Sequence, residues 1–370
     1  MSHVTHSSPF IIVHDWTITP DFIVVPINPA QIRVGANIFL RARPCPSCKL
    51  VRARHGRGQR LPILIPRGGG EPIELRADSF FNIFHLGPVH AGYAEGELIV
   101  HACITDRYSF GREMGFDARA QEFDPIGWSA KGGANPPPRL ERFVLHVPSQ
   151  QVVSCQTMPL AISAGGEAVP VDMPTFHPLR DGERARYCYF AGAPRPEGWF
   201  PFCTVVKADL ETGAALQWDP GEGCVVSEPM LLPRDDGGMV WRGEAAEDEG
   251  WLVSLVHDAR AGRSSLAVFD AAAFDEGPIA QLDLGALCAW GVHGHFGGRQ
   301  PRRARDGWLF RRGSCRSARR NPRRGDAAAR ARLWFSSASN GTKYMIPPFK
   351  TKRKKRAVTA LQSATRSIAI

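Results

Sequence analysis

The chain has 370 residues with 46 Lys and Arg against 36 Asp and Glu, a net charge of +10. The charge is segregated: Arg299–Ile370 holds 21 basic residues and two acids, Asp306 and Asp326, for +19, which leaves 25 basic and 34 acidic groups, or −9, on the first 298 residues. A basic balance therefore describes the tail and not the body. The length suits one large domain or two ordinary ones. No run of about 18 apolar residues predicts a transmembrane helix. Met1–Pro9 is polar and reads neither as a secretory signal nor as a plastid transit peptide. Nine scattered cysteines suit a reducing compartment better than a disulfide scaffold. Neither a Gly-Lys-Ser/Thr phosphate loop nor a Gly-x-Ser-x-Gly elbow occurs, which disfavours nucleotide hydrolysis of that type and an elbow-type serine hydrolase.

In chain order, short runs of β-formers predict strands at Phe10–Val13, Phe22–Val25, Leu61–Ile65, Leu98–Ala102, Arg142–Val147, Val152–Ser154, Arg186–Phe190, Cys203–Asp209, Ala215–Trp218, Met230–Leu232, Trp251–His257, Ser265–Asp270 and Ile279–Asp283. Glu211-Thr-Gly213, Asp219-Pro-Gly221, Asp235-Asp-Gly-Gly238 and Ala261-Gly262 supply turns between them. Gly (37) and Pro (30) make 18% of the chain, above the usual ~12%, and act as punctuation. Long amphipathic helices are not predicted. The class is all-β, as a sandwich, barrel or propeller. Cys203–Asp209 with Ala215–Trp218, and Trp251–His257 with Ser265–Asp270, read as successive outer hairpins of propeller blades. From residue 297 to 370 apolar periodicity fails, and Lys350–Arg356 is a basic run, so this segment reads as mostly disordered. Such a tail binds nucleic acid, acts as a nuclear address, or is a terminus never selected to fold. The last reading is preferred, because the body shows no aromatic–basic pattern for nucleic acid.

Two histidines stand out. His14 is expected to close an apolar strand in Phe10-Ile-Ile-Val-His-Asp-Trp-Thr-Ile-Thr-Pro20, and His293 sits among small residues in Trp290-Gly-Val-His-Gly-His-Phe296. Imidazole on a rigid strand end is a good ligand for iron, zinc or copper. His293 and His295 would face the same way on a strand, so a His-x-His pair competes with a reading in which His295 is a bystander. Carboxylates near ligand histidines often hold the second ring nitrogen, and Glu228, in Ser227-Glu-Pro-Met230, and Asp172, in Val171-Asp-Met-Pro174, are candidates. By themselves both read as residues of Pro-bounded turns. Cys45-Pro-Ser-Cys48 has neither the second pair a zinc ribbon needs nor a βαβ setting, and reads as an incidental loop pair.

Taken in order, these segments resemble the carotenoid cleavage oxygenase family, which includes the retinoid isomerase and the lignostilbene dioxygenases. His14-Asp-Trp-Thr-Ile-Thr19 resembles its His-Asp-Phe-x-Ile-Thr motif. Phe80-Phe-Asn-Ile-Phe-His85 with Tyr93-Ala-Glu-Gly-Glu-Leu-Ile-Val100 resembles the Phe-His-x-x-Asn-Ala-Tyr/Phe-Glu region and its following strand. Val171-Asp-Met-Pro174 is similar to a Glu-Phe-Pro turn, Lys207–Gly221 to a blade hairpin, and Ser227-Glu-Pro-Met-Leu-Leu-Pro-Arg234 with Glu247–Val256 to the most specific stretch. Trp290-Gly-Val-His-Gly294 resembles a closing Gly-Phe-His-Gly motif. The similarity runs over residues 10–296.

The resemblance implies a seven-bladed β-propeller with Fe(2+) on its axis, held by four histidines, three of them oriented by carboxylates. It makes His14 the third and His293 the fourth metal ligand, and puts Asp172 and Glu228 on carboxylate positions. Asp172, one methylene shorter than the usual glutamate, is expected to reach its histidine only through water or a backbone shift. The implied activity is dioxygenase cleavage of a conjugated double bond in a carotenoid or apocarotenoid, with O2 as partner and two carbonyl products. Family members also dip an apolar patch into membranes, a patch no segment here can be matched to. Plastid stroma and cytosol both remain open as locations. Only thirteen residues precede His14, whereas family chains run far longer there. The expectation is an incomplete propeller lacking its N-terminal part, with the first two ligand positions upstream and little or no activity of its own. The alternative is a non-catalytic partial propeller that acts as a binding module.

Overall fold

The computed structural model describes residues 13–28, 59–77, 82–106, 137–162, 168–194, 199–233, 247–286 and 293–295, with short strands at 30–32, 51–53, 116–117, 122–123, 334–336 and 343–345. Four antiparallel meanders follow one another along the chain. The first runs Thr17–Ile18, Phe22–Val25, Gln59–Pro66, Ile73–Ala77. The second runs Asn82–Ala91, Glu97–Thr105, Arg139–His146, Gln151–Thr157, and its last strand meets the last strand of the first through a parallel pairing of Gln151 with Arg76. The third runs Val171–Phe176, Tyr187–Gly192, Thr204–Asp209, Ala215–Trp218. In the fourth, Cys224–Val226 and Met230–Pro233 both pair with Gly250–Asp258, which is followed by Arg263–Asp270 and Ala280–Asp283.

Burial decides between sandwich and propeller. One apolar cluster joins Val24, Leu64 and Leu75 of the first sheet to Leu86, Val100 and Phe143 of the second. The next joins Cys103 and Leu140 of the second to Val171, Phe190 and Val206 of the third. A third joins Tyr189, Phe202 and Val205 of the third to Val226, Leu252 and Phe269 of the fourth. A last cluster, with Met230, Val253, Leu255 and Leu266, covers the far face of the fourth. The second and third sheets therefore bury both faces, each against a different neighbour, as stacked blades do and a two-layer sandwich does not. Their middle strands are accordingly apolar on both sides: Glu97–Thr105 is buried at seven consecutive positions, while the outermost Gln151–Thr157 is almost wholly exposed.

Polar ties cross the seams. Lys207 Nζ donates to Asp248 Oδ2 (2.6 Å) and to the Ala271 carbonyl (2.7 Å), joining the third blade to the fourth inside the core. Next to it, Glu247 accepts from the Arg186 and Tyr187 amides. Asn28 bonds both the N–H and the C=O of Ile83, tying the first sheet to the second.

Twelve of the expected strands coincide with observed ones to within a few residues, and both expected hairpins form. The second hairpin lies in the middle of its blade, with Ala280–Asp283 outside it. Strands at Ile73–Ala77, Asn82–Ala91, Val171–Phe176 and Cys224–Val226 were not expected. His14 does not close a strand: Val13–Trp16 is irregular and the ladder begins at Thr17. Of the basic tail, Trp334–Ser336 and Lys343–Met345 are described as strands, the first of them pairing with Gly294–His295. Its remainder, the Cys45/Cys48 pair and the Phe10–Ile12 segment lie outside the described residues. Among the described residues no helix is long and apolar enough to cross a membrane.

Candidate metal centre

The first strand of each meander contributes to one constellation. His14 comes from the segment leading into Thr17–Ile18, His85 from Asn82–Ala91, and Asp172 from Val171–Phe176. Glu228 lies in the break between Cys224–Val226 and Met230–Pro233, and His293 just before the next strand, Gly294–His295. His85 Nε2 lies 3.2 Å from His14 Nε2 and 3.3 Å from His293 Nε2. The three ligand nitrogens all fall within 4.8 Å of one another. His85 is buried, His293 half-buried and His14 exposed, so the cluster is closed on one side and open on the other.

The orientation of two imidazoles is fixed from behind. Asp172 Oδ1 is 2.7 Å from His85 Nδ1, and Glu228 Oε2 is 3.2 Å from His293 Nδ1. An ionised carboxylate only accepts, so each Nδ1 carries the proton and each Nε2 presents its lone pair to the centre. The carboxylates are themselves held: Asp172 Oδ1 accepts from the Met173 amide (2.8 Å) and Glu228 Oε2 from the Gly294 amide (3.3 Å).

Local irregularities aim these side chains. In the pairing of Asn82–Ala91 with Glu97–Thr105, Ile83 faces Ile104 and His85 faces Cys103, so Phe84 is an extra residue. In Val171–Phe176, Asp172 faces Ala191 and Thr175 faces Tyr189, so Met173 and Pro174 stand opposite Phe190, with Met173 at a φ of 55°. Bulges of this kind re-aim side chains beside active sites. They also explain how the short Asp172 reaches His85 directly: no water bridge is needed, because the strand bends to deliver it, which is the backbone alternative of the two expected.

The titration directions follow the geometry. Burial works against protonating His85, but the charge and hydrogen bond of Asp172, with Asp15 and Glu228 behind it, outweigh burial and hold its pKa above the ordinary imidazole value. Partial burial, reinforced by His85 and His293, pushes His14 down. Three imidazole nitrogens facing one another, with carboxylates around them, offer a place for a cation between them. An all-imidazole donor set fits iron, zinc, copper or nickel, so the residues present fit the iron that the motifs imply.

A cavity of about 500 Å³ opens onto the cluster. Trp16, Leu86, Pro174, Phe176 and Pro178 give it an apolar wall, while Asp15, Asp181 and Glu228 lie at its polar side. Thr17 Oγ1 donates to Asp181 Oδ1 (2.9 Å) at the rim.

The structure thus brings His14, His293, Asp172 and Glu228 together. The structure adds His85, which sequence reasoning passed over, so three imidazoles meet where two were expected. The signal was present: Phe84-His85 stands in the segment matched to a Phe-His motif, inside ten residues of mostly apolar strand. The side chain of His295 lies outside the described residues.

Residues 2–297 match the family profile described as retinal pigment epithelial membrane protein (RPE65). The apocarotenoid-15,15'-oxygenase of Synechocystis is 28% identical over 289 residues, covering 78% of this chain and 52% of that protein. The chloroplastic carotenoid cleavage dioxygenase 7 of Oryza sativa subsp. japonica is 24% identical over 307 residues, covering 78% and 48%. The solved structure of cobalt-substituted Synechocystis apocarotenoid oxygenase superposes with a TM-score of 0.62 at 25% identity, covering 78% of this chain and 53% of that one. The chain spans about half the length of the curated relatives it matches.

Proposed function

Because the chain belongs to the retinal pigment epithelial membrane protein family of carotenoid cleavage oxygenases, we propose that His14, His85 and His293 are iron(II) ligands of a dioxygenase cleaving a conjugated double bond of a carotenoid or apocarotenoid. The observation that carries this reading is the meeting of three Nε2 atoms within 4.8 Å, two of them aimed by carboxylates. The chemistry supplied with iron(II) bound is activation of dioxygen, whose two atoms end in the two carbonyl groups formed where the double bond was.

The chain's own residues do the rest. Asp172 and Glu228 hold the Nδ1 side of His85 and His293, so both rings turn Nε2 toward the centre. Their negative charge offsets that of a divalent cation without occupying it. The wall of Trp16, Leu86, Pro174 and Phe176 offers an apolar track to a polyene. Relatives from rice and Arabidopsis are named as chloroplastic, which makes the plastid the first compartment to examine.

The test is anaerobic loading with Fe(2+), removal of free metal, and incubation with an apocarotenal in air. The proposal expects bound iron near one per chain, loss of polyene absorbance, and one atom of ¹⁸O from ¹⁸O₂ in each carbonyl product. Iron retained without polyene loss would replace the enzyme by a metal-bearing binding module, and failure to retain iron would overturn the metal centre.

A further inference from the structure

His85 and His293 are each steadied through a ring nitrogen, and His14 is steadied by other means. Its neighbour Asp15 places Oδ2 2.8 Å from the amide of Leu86, the residue after His85, and Oδ1 2.8 Å from the amide of Trp16. Both carboxylate oxygens are thus committed to backbone N–H groups, one on each of the segments that carry His14 and His85. The segment Val13–Trp16 lies outside any strand ladder, since pairing in the first sheet begins at Thr17. Leu86 is paired with Ala102 but lies between two register shifts, on the edge strand of its sheet. The tie through Asp15 therefore joins a segment outside the ladder to an edge strand.

Resting on the metal reading above, we propose that Asp15 is a positioning residue that holds the His14 imidazole at ligand distance from His85. The chemistry is specific. A carboxylate accepts two charge-assisted bonds from two N–H donors. An asparagine has one accepting oxygen and an NH₂ group that would face the other N–H. The rings it sets are those whose Nε2 atoms lie 3.2 Å apart, and the His14 ring is otherwise flanked by the rings of Phe84, His85 and His293. Asp15 so joins Asp172 and Glu228 as a third carboxylate of the site, acting through backbone instead of through imidazole.

The test titrates the full chain with Co(2+) and follows its visible spectrum, with Leu86 amide exchange and imidazole ¹⁵N shifts read on the metal-free protein. Asp15→Ala is expected to weaken Co(2+) about 10- to 100-fold, the range found when outer partners of ligand histidines are removed, to alter the Co(2+) spectrum, and to speed Leu86 exchange. Asp15→Asn, which keeps one of the two bonds, should fall between Asp15→Ala and the unmodified chain, and decides the matter if Asp15→Ala fails to fold. Arg67→Ala removes another tie in the same sheet, from Arg67 Nη1 to the carbonyls of Thr19 (2.9 Å) and Pro20 (3.3 Å). It should lower the melting temperature while leaving Co(2+) affinity within about threefold. Unchanged affinity and spectrum in Asp15→Ala, or an equal loss in Arg67→Ala, would overturn the assignment. If the unmodified chain binds no Co(2+), the metal reading fails, and the metal-free readouts decide for Asp15. Faster Leu86 exchange with shifted His14 and His85 nitrogens supports it, and unchanged values overturn it.

Discussion

Asp172 Oδ1 lies 2.7 Å from His85 Nδ1 across the seam between the second and third blades, and both residues are buried. The contact is direct because bulges flank both partners. Asp172→Ala should therefore weaken divalent-metal binding about 10- to 100-fold. Asp172→Glu should weaken it as well, because the bulge at Met173-Pro174 already spans the gap that the extra methylene would fill. Competition titration with a chelator measures both, and a Glu variant that binds metal more tightly than the unmodified chain would show that the bulge does not do this.

His85 sits between the other two imidazoles, 3.2 Å from His14 and 3.3 Å from His293, and is the buried member of the three. Its loss should cost more than loss of either neighbour. His85→Ala is expected to retain no stoichiometric iron after desalting, whereas His14→Ala, altered at the open rim, retains a measurable fraction. Metal analysis of the desalted proteins ranks the two variants, and a His14→Ala protein emptier than His85→Ala would reverse this order.

Apart from Ile73–Ala77, the middle and outer strands of the blades were legible from sequence because they obey strand rules: Glu97–Thr105, Thr204–Asp209 and Gly250–Asp258 are runs rich in β-formers. Of the innermost strands, Met230–Pro233 was legible and the others were not. Asn82–Ala91 contains Gly87-Pro88, Val171–Phe176 contains Pro174, and the inner strand of the fourth blade is interrupted at Ser227-Glu-Pro229. Proline removes a ladder donor and glycine weakens a strand, so both argue against a strand by local rules. These breaks are what turn Asp172 and Glu228 toward the axis, so the features that hide the strands from local reading also build the site. His85 was hidden by the same Gly-Pro pair two residues downstream, and its partnership with Asp172 spans 87 residues, beyond any local pattern.

The pair Lys207–Asp248 tests how the blades are held together. Its side chains are 8% and 12% exposed, and the ammonium also meets the Ala271 carbonyl and lies 4.6 Å from the centre of the Tyr187 ring. Removing one member leaves an uncompensated buried charge, at a cost of about 3–5 kcal/mol. Asp248→Ala should lose about that much in urea unfolding. The double variant Lys207→Met/Asp248→Leu should recover most of it, since a buried ion pair replaced by apolar groups is often close to neutral. A double variant no more stable than Asp248→Ala would assign the loss to packing instead of charge.

Acid should destabilise the second blade through His101. This residue is 4% exposed in Glu97–Thr105, its Nδ1 donates to the Pro88 carbonyl (3.1 Å), and His90 lies beside it with ring centroids 6.0 Å apart. Burial pushes its pKa down from 6.5 to about 4, with the neighbouring His90 and Arg142 adding to the effect against the opposing Pro88 bond. Below the unfolded value the unfolded chain binds a proton that the folded chain refuses, so stability is full above pH 6.5 and is lost as pH falls toward 4. A depression of that size corresponds to about 3 kcal/mol. His90, lowered by burial despite its bond to the Ala91 carbonyl, acts in the same direction. His101→Gln removes the larger of the two titrations. Its urea midpoint should start lower than that of the unmodified chain at pH 7.5 and fall less steeply down to pH 4.5. Equal slopes in the two proteins would place the acid sensitivity elsewhere.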